Sequence, residues 1–94
     1  MIDSKAIDNI FTEFGCVKKK LPNKSVCYFK EDIHFKFTFV EGINSYVLET
    51  AGNHNEAVKN LFEDNETYFA DADDETIIEN LKNDLKNLYN LKFV

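Results

Sequence analysis

The sequence predicts one α+β domain, residues 1–94, in which an N-terminal helix precedes an antiparallel β-meander of three to four strands. C-terminal helices are expected to cover one face of that meander. Residues 33–40, IHFKFTFV, carry an apolar side chain at every second position, which is typical of a strand with a single buried face. Apolar residues near both ends of the chain recur at three- and four-residue spacing, which predicts helices. The length of 94 residues suits a single modest core.

The first predicted helix begins at Asp3 or Ser4, either of which is a good N-cap, and ends at Gly15. Its apolar stripe is formed by Ile7, Ile10, Phe11 and Phe14. Two strands, CVKKKL and SVCYFK, are expected next. The turn between them contains Pro22, the only proline of the chain.

The third strand is the one with the clearest alternation. Its buried set is predicted to be Ile33, Phe35, Phe37 and Phe39, and its solvent-facing set His34, Lys36 and Thr38. SYVLET should be the next strand of the meander. Beyond it, NHNEAVKNLF predicts a short helix capped by Asn53 or Asn55, and TYFA is either one more short strand or an extended connection.

The last predicted helix is capped by Asp73 or Asp74 and is expected to lie across the Phe face of the sheet. Its apolar stripe consists of Ile77, Ile78, Leu81, Leu85, Leu88 and Tyr89.

Charge is divided unevenly along the chain, whose net charge is −6. Residues 1–40 hold seven Lys and five acids (net +2), whereas residues 41–94 hold four Lys and twelve acids (net −8). Residues 60–81 alone contain eight acids and no basic residue. Three interpretations of this segment stay open: a solvated loop, an acidic surface that faces a protein partner, and a metal site. Asp73, Asp74 and Glu75 also have a structural explanation, because acids stabilise the first turn of a helix.

The metal interpretation meets a specific obstacle. Asp71, Asp73 and Glu75 share the 1, 3, 5 spacing of a calcium-binding EF-hand loop, but Thr76 stands where that loop needs glycine and Lys82 where it needs glutamate. The possible zinc ligands follow no known spacing with a close ligand pair; they are Cys16, Cys27, His34 and His54. We therefore expect no metal and no cofactor.

No enzyme is expected either, since the isolated glycines form neither a nucleophile elbow nor a phosphate loop. Two cysteines are too few for a disulfide framework and suggest free thiols in a reducing cytoplasm. No apolar run is long enough to span a bilayer, and the N-terminus does not look like a signal peptide. Lys18–Lys20 is the one basic cluster, and we interpret it as lysines that protect an edge strand. With no arginine in the chain, direct nucleic-acid binding is not expected.

In size, acidity and architecture the chain resembles the small bacterial immunity proteins that neutralise the toxins of contact-dependent growth inhibition systems. The resemblance implies a cytoplasmic protein that binds a basic cognate toxin, expected to be a nuclease, through its acidic surface. The expected partner-binding residues are Glu63, Asp64, Glu66, Tyr68, Phe69, Asp71, Asp73, Asp74, Glu75 and Glu79. Tyr68 and Phe69 would serve as aromatic anchors. A regulatory or adaptor domain without a toxin partner is the alternative, and a small-molecule binder is a third class. The oligomeric state is left open.

Overall fold

The computed structural model describes residues 1–94. The helices are α1 (Ser4–Glu13), α2 (His54–Val58) and α3 (Asp74–Asn87). The strands are β1 (Val17–Lys20), β2 (Val26–Lys30), β3 (Ile33–Val40), β4 (Ser45–Ala51) and β5 (Glu63–Phe69), and a 3₁₀ turn spans Glu41–Ile43. No helix is both long enough and apolar enough to cross a membrane.

Both long helices begin at a capping aspartate. The Asp3 carboxylate accepts from the Lys5 N–H, and the Asp73 carboxylate accepts from the Thr76 N–H. After α1 the backbone reverses at Gly15, whose φ of +82° is strained for residues that carry a Cβ. The N–H of Cys16 then donates to the Phe11 carbonyl and leads the chain into β1.

The five strands form one antiparallel sheet in sequence order, so every strand pairs with its neighbours in the chain. The meander is therefore confirmed, but the expected number of three to four strands is too low. The additional strand is β5, which runs from Glu63 to Phe69 and pairs along almost the whole of β4. The sequence indicated only its last residues, in TYFA, as a possible short strand. The acid-rich first part was not predicted, because strand propensity favours β-branched and aromatic residues over Asp and Asn.

One face of the sheet, called here the inner face, is covered by α1 and α3. Phe11 of α1 stacks on Tyr28 of β2, with ring centroids 4.3 Å apart, and also contacts Phe35. Leu81 and Leu85 of α3 are fully buried in the same core. The predicted Phe face of β3 is this inner face, and the last helix covers it as expected.

Two tyrosine hydroxyls tie these helices to the sheet by donating to helix carboxylates. Tyr28 donates to Asp8 of α1, and Tyr68 donates to Asp84 of α3. The hydrogen bond from Tyr28 is the main reason that the pKa of Asp8 lies below its usual value. Each pair gives a buried hydroxyl its partner, so the inner core carries polar groups without leaving them unsatisfied.

The opposite, outer face departs from the expectation that both C-terminal helices cover the Phe face. The short helix α2 packs on the outer face, where Ala57 joins a small buried cluster with Leu21, Cys27 and Ala51. As a result His34 and Lys36, which were expected to face solvent, are only 2% and 9% exposed. The alternation of apolar side chains along β3 is observed in the structure. This alternation alone could not predict that α2 covers part of the outer face as well.

Candidate protein-binding surface

The acidic segment divides into an edge strand, a turn and the start of a helix. Its first part is β5, which pairs with β4 on one side and with no strand on the other. The loop interpretation is therefore wrong for Glu63–Phe69. A backbone irregularity opposite Leu48 and Glu49 leaves Asn65 unpaired.

The β-bulge decides which face each β5 acid occupies. Glu66 pairs with Leu48 and Glu63 pairs with Thr50, so both belong to the inner-face side of the strand. Asp64 pairs with Glu49 and points to the outer face. The acids of β5 thus lie on both sides of one open edge.

No lysine neutralises these acids. The two ion pairs of the structure join Lys18 to Asp8 and Lys82 to Glu13, and neither involves an acid of residues 60–81. The acidic edge therefore has no lysine paired with its carboxylates, and an acidic surface of this kind accelerates encounter with basic proteins.

The two proposed aromatic anchors differ sharply in accessibility. Tyr68 is buried on the inner face, where burial and then the nearby carboxylate of Asp84 raise the pKa of its hydroxyl. Phe69, the next residue, points to the outer face and is 70% exposed. Only Phe69 is placed to contact a partner without rearrangement of the core.

The remaining predicted site residues follow β5 and lie apart from the open strand edge. Asp71 accepts from the side-chain amide of Asn44 at 3.1 Å. Asp73 caps α3, and the Thr76 N–H lowers the pKa of its carboxyl group. Asp74 and Glu75 occupy the first turn of α3, and Glu79 is exposed one turn later. No three His, Cys, Asp or Glu side chains converge to hold a metal ion.

Beside Phe69 lies a part of the outer face that α2 leaves open. Register places Val40, Ser45 and Phe69 in one row across β3, β4 and β5, with Thr38, Val47 and Thr67 in the next row. Val40, Thr38, Thr67 and Phe69 are exposed, whereas Ser45 and Val47 of β4, which lie between them, are buried. Val40 and Thr67 were not predicted to belong to the binding surface, because the alignment of three strands is set by long-range pairing.

One interaction at the border of this open area is unfavourable. Glu49 and Asp64 are direct cross-strand neighbours, and like charges in such pairs are destabilising. Partial burial, and then the charge of Asp64, raise the pKa of Glu49, while Lys36 acts in the opposite direction. A neutral residue in place of one of these two carboxylates would lower the free energy of the folded sheet.

A cleft of about 530 Å³ lies between β2 and β3 and is lined by residues of both faces. β2 pairs with β3 only over Tyr28–Lys30, so β3 extends past the end of this pairing. Lys36 lines the cleft, donates to Asn60 at 2.6 Å and lies 4.3 Å from the Phe62 ring centroid. Its ammonium group already has these partners and is not a free ligand for a substrate.

The histidines and cysteines have structural surroundings. His34 contacts the Asp32 carbonyl through Nδ1 at 2.8 Å and stacks on Phe29, while His54 Nδ1 lies 2.7 Å from Lys19 Nζ. Burial raises the pKa of the Cys16 thiol to about 11 and also raises that of Cys27. Both cysteines are free, and a raised pKa keeps a cysteine in its less reactive thiol form.

Comparison with protein-family models, curated proteins and solved structures finds no match for this chain. The geometry of the acidic edge and the exposed Phe69 therefore carries the functional argument.

Proposed function

We propose that this chain is an immunity protein that binds and neutralises a basic cognate toxin, a nuclease, in the cytoplasm. The supporting observation is that β5 combines an acidic edge that forms no ion pairs with an aromatic side chain that is largely exposed. Glu63, Asp64 and Glu66 have no cationic neighbour within ion-pair distance, and Phe69 at the end of the same strand is 70% exposed.

The two features have complementary roles in binding. Acidic side chains steer a basic partner and set its orientation, whereas an aromatic side chain that becomes desolvated contributes much of the affinity. Thr67 is the next outer-face residue of β5, and the exposed Val40 lies in the same row as Phe69 on the far side of Ser45, so a partner that covers Phe69 also covers uncharged side chains. The surface thus has an apolar centre with an acidic border, which is the usual anatomy of a protein interface.

This placement refines the predicted set of contact residues. Phe69 lies at the centre of this surface and the β5 acids form its border, while Asp71, Asp74, Glu75 and Glu79 extend the negative field along the turn and α3. A basic nuclease whose nucleic-acid site is covered by such a surface loses access to its substrate. Inhibition then follows from occupancy alone and requires no catalysis by the immunity protein.

The test begins with recovery of the tagged protein from its native host at about 50 mM and at about 500 mM salt, a range over which screening of exposed charges changes strongly. We expect one stoichiometric basic protein, retained better at low salt. The purified partner should degrade nucleic acid, and addition of one equivalent of this chain should stop it.

A matched pair of variants locates the surface. Glu63→Gln, Asp64→Asn and Glu66→Gln together should weaken binding of the purified partner at least tenfold, or about 1.4 kcal/mol. The control, Glu31→Gln, Asp32→Asn and Glu41→Gln, removes the same charge from exposed positions elsewhere and should change affinity much less. Equal effects of the two triple variants would contradict a role for β5, and a partner without toxic activity would favour an adaptor.

A further inference from the structure

The two edges of the sheet carry opposite charges. β1, at one edge, reads Val-Lys-Lys-Lys, and β5, at the other, begins Glu-Asp-Asn-Glu. From this we propose that the β1 edge of one copy of the chain pairs with the β5 edge of a second copy, which extends the sheet head to tail. The inference goes beyond the proposed function, although both use β5.

Both edges offer free backbone groups for such pairing. The Leu21 N–H donates to the Ser25 carbonyl, so alternation along an antiparallel pair turns the N–H and C=O groups of Lys18 and Lys20 away from β2. The Ala70 N–H donates to the Asn44 carbonyl. The same alternation turns the backbone N–H and C=O groups of Thr67 away from β4. An open edge of this kind is a template for another strand.

The charges on the two edges also match in face and in spacing. Lys18 pairs with Tyr28, an inner-face residue, so Lys18 and Lys20 both lie on the inner-face side of β1. Glu63 and Glu66 lie on the same side of β5, opposite Thr50 and Leu48. Because the bulge absorbs one residue, these two acids have the two-residue spacing of the lysines, about 6.6 Å along a strand.

The outer-face side of the same edges agrees with this pairing. Lys19 lies there on β1 and Asp64 lies there on β5. Two copies with their helices on the same side of a continuous sheet would therefore bring lysines and acids together on both faces. Lys18 is 53% exposed in its ion pair with Asp8, so its ammonium group is not enclosed by that contact.

Strand direction separates this arrangement from the symmetric alternatives. All neighbours in the sheet are antiparallel, so β1 and β5 run in the same direction and their junction is parallel. A two-fold dimer through β1 alone sets lysine against lysine, and one through β5 alone sets acid against acid. The charges thus disfavour both closed dimers. They favour a β1-to-β5 junction, which leaves one β1 edge and one β5 edge of the pair free.

The experiment measures the weight-average mass of the purified protein by sedimentation equilibrium, from about 10 µM to about 1 mM, the range in which small interfaces associate, at about 0.15 M salt. We expect the mass to rise with concentration above that of a single chain. Lys18→Glu with Lys20→Glu makes both edges acidic and should lower the association constant at least tenfold. Glu63→Lys with Glu66→Lys makes both edges basic and should do the same.

An equimolar mixture of the two double variants should associate again, because each acidic β1 edge then meets a basic β5 edge. The control variant, Lys59→Glu with Lys92→Glu, alters the net charge by the same amount at exposed positions off the edges. Apart from the general repulsion that this added negative charge causes, it should associate like the wild type. Circular dichroism of each variant confirms that the sheet is intact.

A protein that stays monomeric throughout, or a mixture that fails to recover association, would overturn the proposal. So would a Lys18→Glu, Lys20→Glu variant that associates as strongly as Lys59→Glu, Lys92→Glu. These results are independent of the immunity function: the lysine variant leaves β5 unchanged and should still bind the partner, and the sedimentation experiment contains no partner.

Discussion

The two faces of this sheet are made by the same five strands but bury very different amounts of apolar surface. The inner face holds a core of fourteen buried residues, with stacked aromatic rings from α1 and the strands. The outer face holds a buried apolar cluster of four residues beneath α2, and its other half remains open around Phe69. Stability is thus concentrated on one face, which leaves the other free to present side chains to a partner.

The largest expected effect comes from the inner face. Phe35→Ala should cost about 3–5 kcal/mol of the free energy of unfolding, because it removes a fully buried ring and leaves a cavity between β3 and the helices. Phe69→Ala is the matched control on the outer face and should change stability by no more than about 0.5 kcal/mol. Urea unfolding measures both. Similar losses for the two variants would show that the faces do not differ as described.

A smaller effect should come from the covered part of the outer face. Ala57 of α2 is fully buried against the sheet, so Ala57→Leu should force α2 outward at a cost of about 1–3 kcal/mol. Val58→Leu, on the exposed side of the same short helix, should be tolerated. Urea unfolding and amide chemical shifts of β3 and β4 test this. If Ala57→Leu behaved like Val58→Leu, α2 would not be sealing the outer face.

The smallest effect concerns the carboxylate pair at the border of the open area. The folded protein raises the pKa of Glu49 above its ordinary value near 4.5, so folding favours the protonated form. That contribution is fully present below the unfolded pKa and is lost as pH rises through the folded one. Glu49→Gln should therefore stabilise the protein by roughly 0.2–1 kcal/mol at neutral pH, the size of a cross-strand pair.

The advantage of Glu49→Gln should vanish below about pH 4, where the wild-type carboxyl is protonated in both states. Thermal unfolding between pH 3 and pH 7 measures the difference. Glu41→Gln, at an exposed position in the 3₁₀ turn, is the control and should change stability by no more than about 0.5 kcal/mol. A stabilisation that persists unchanged in acid would mean that neither burial of the Glu49 charge nor its repulsion by Asp64 is the cause.

The sequence by itself determined the elements whose evidence is local. Helical spacing on α1 and α3 and the alternation of β3 depend on neighbours within a few residues, and these elements were predicted close to where they are observed. The caps were predicted as Asp3 or Ser4 and as Asp73 or Asp74, and the structure has Asp3 and Asp73. The acidic segment was identified for the same reason, with Tyr68 and Phe69 both named as aromatic anchors.

Only the tertiary structure decided how the segments were used. The acid-rich segment Glu63–Phe69 forms a strand because it pairs with β4, and this pairing outweighs the weak strand propensity of its residues. Burial of His34 under α2, the separation of Tyr68 from Phe69, and the opposite charges of the two sheet edges all arise from contacts between residues distant in the chain. Such contacts depend on register, and a shift of one residue exchanges the two faces of a strand.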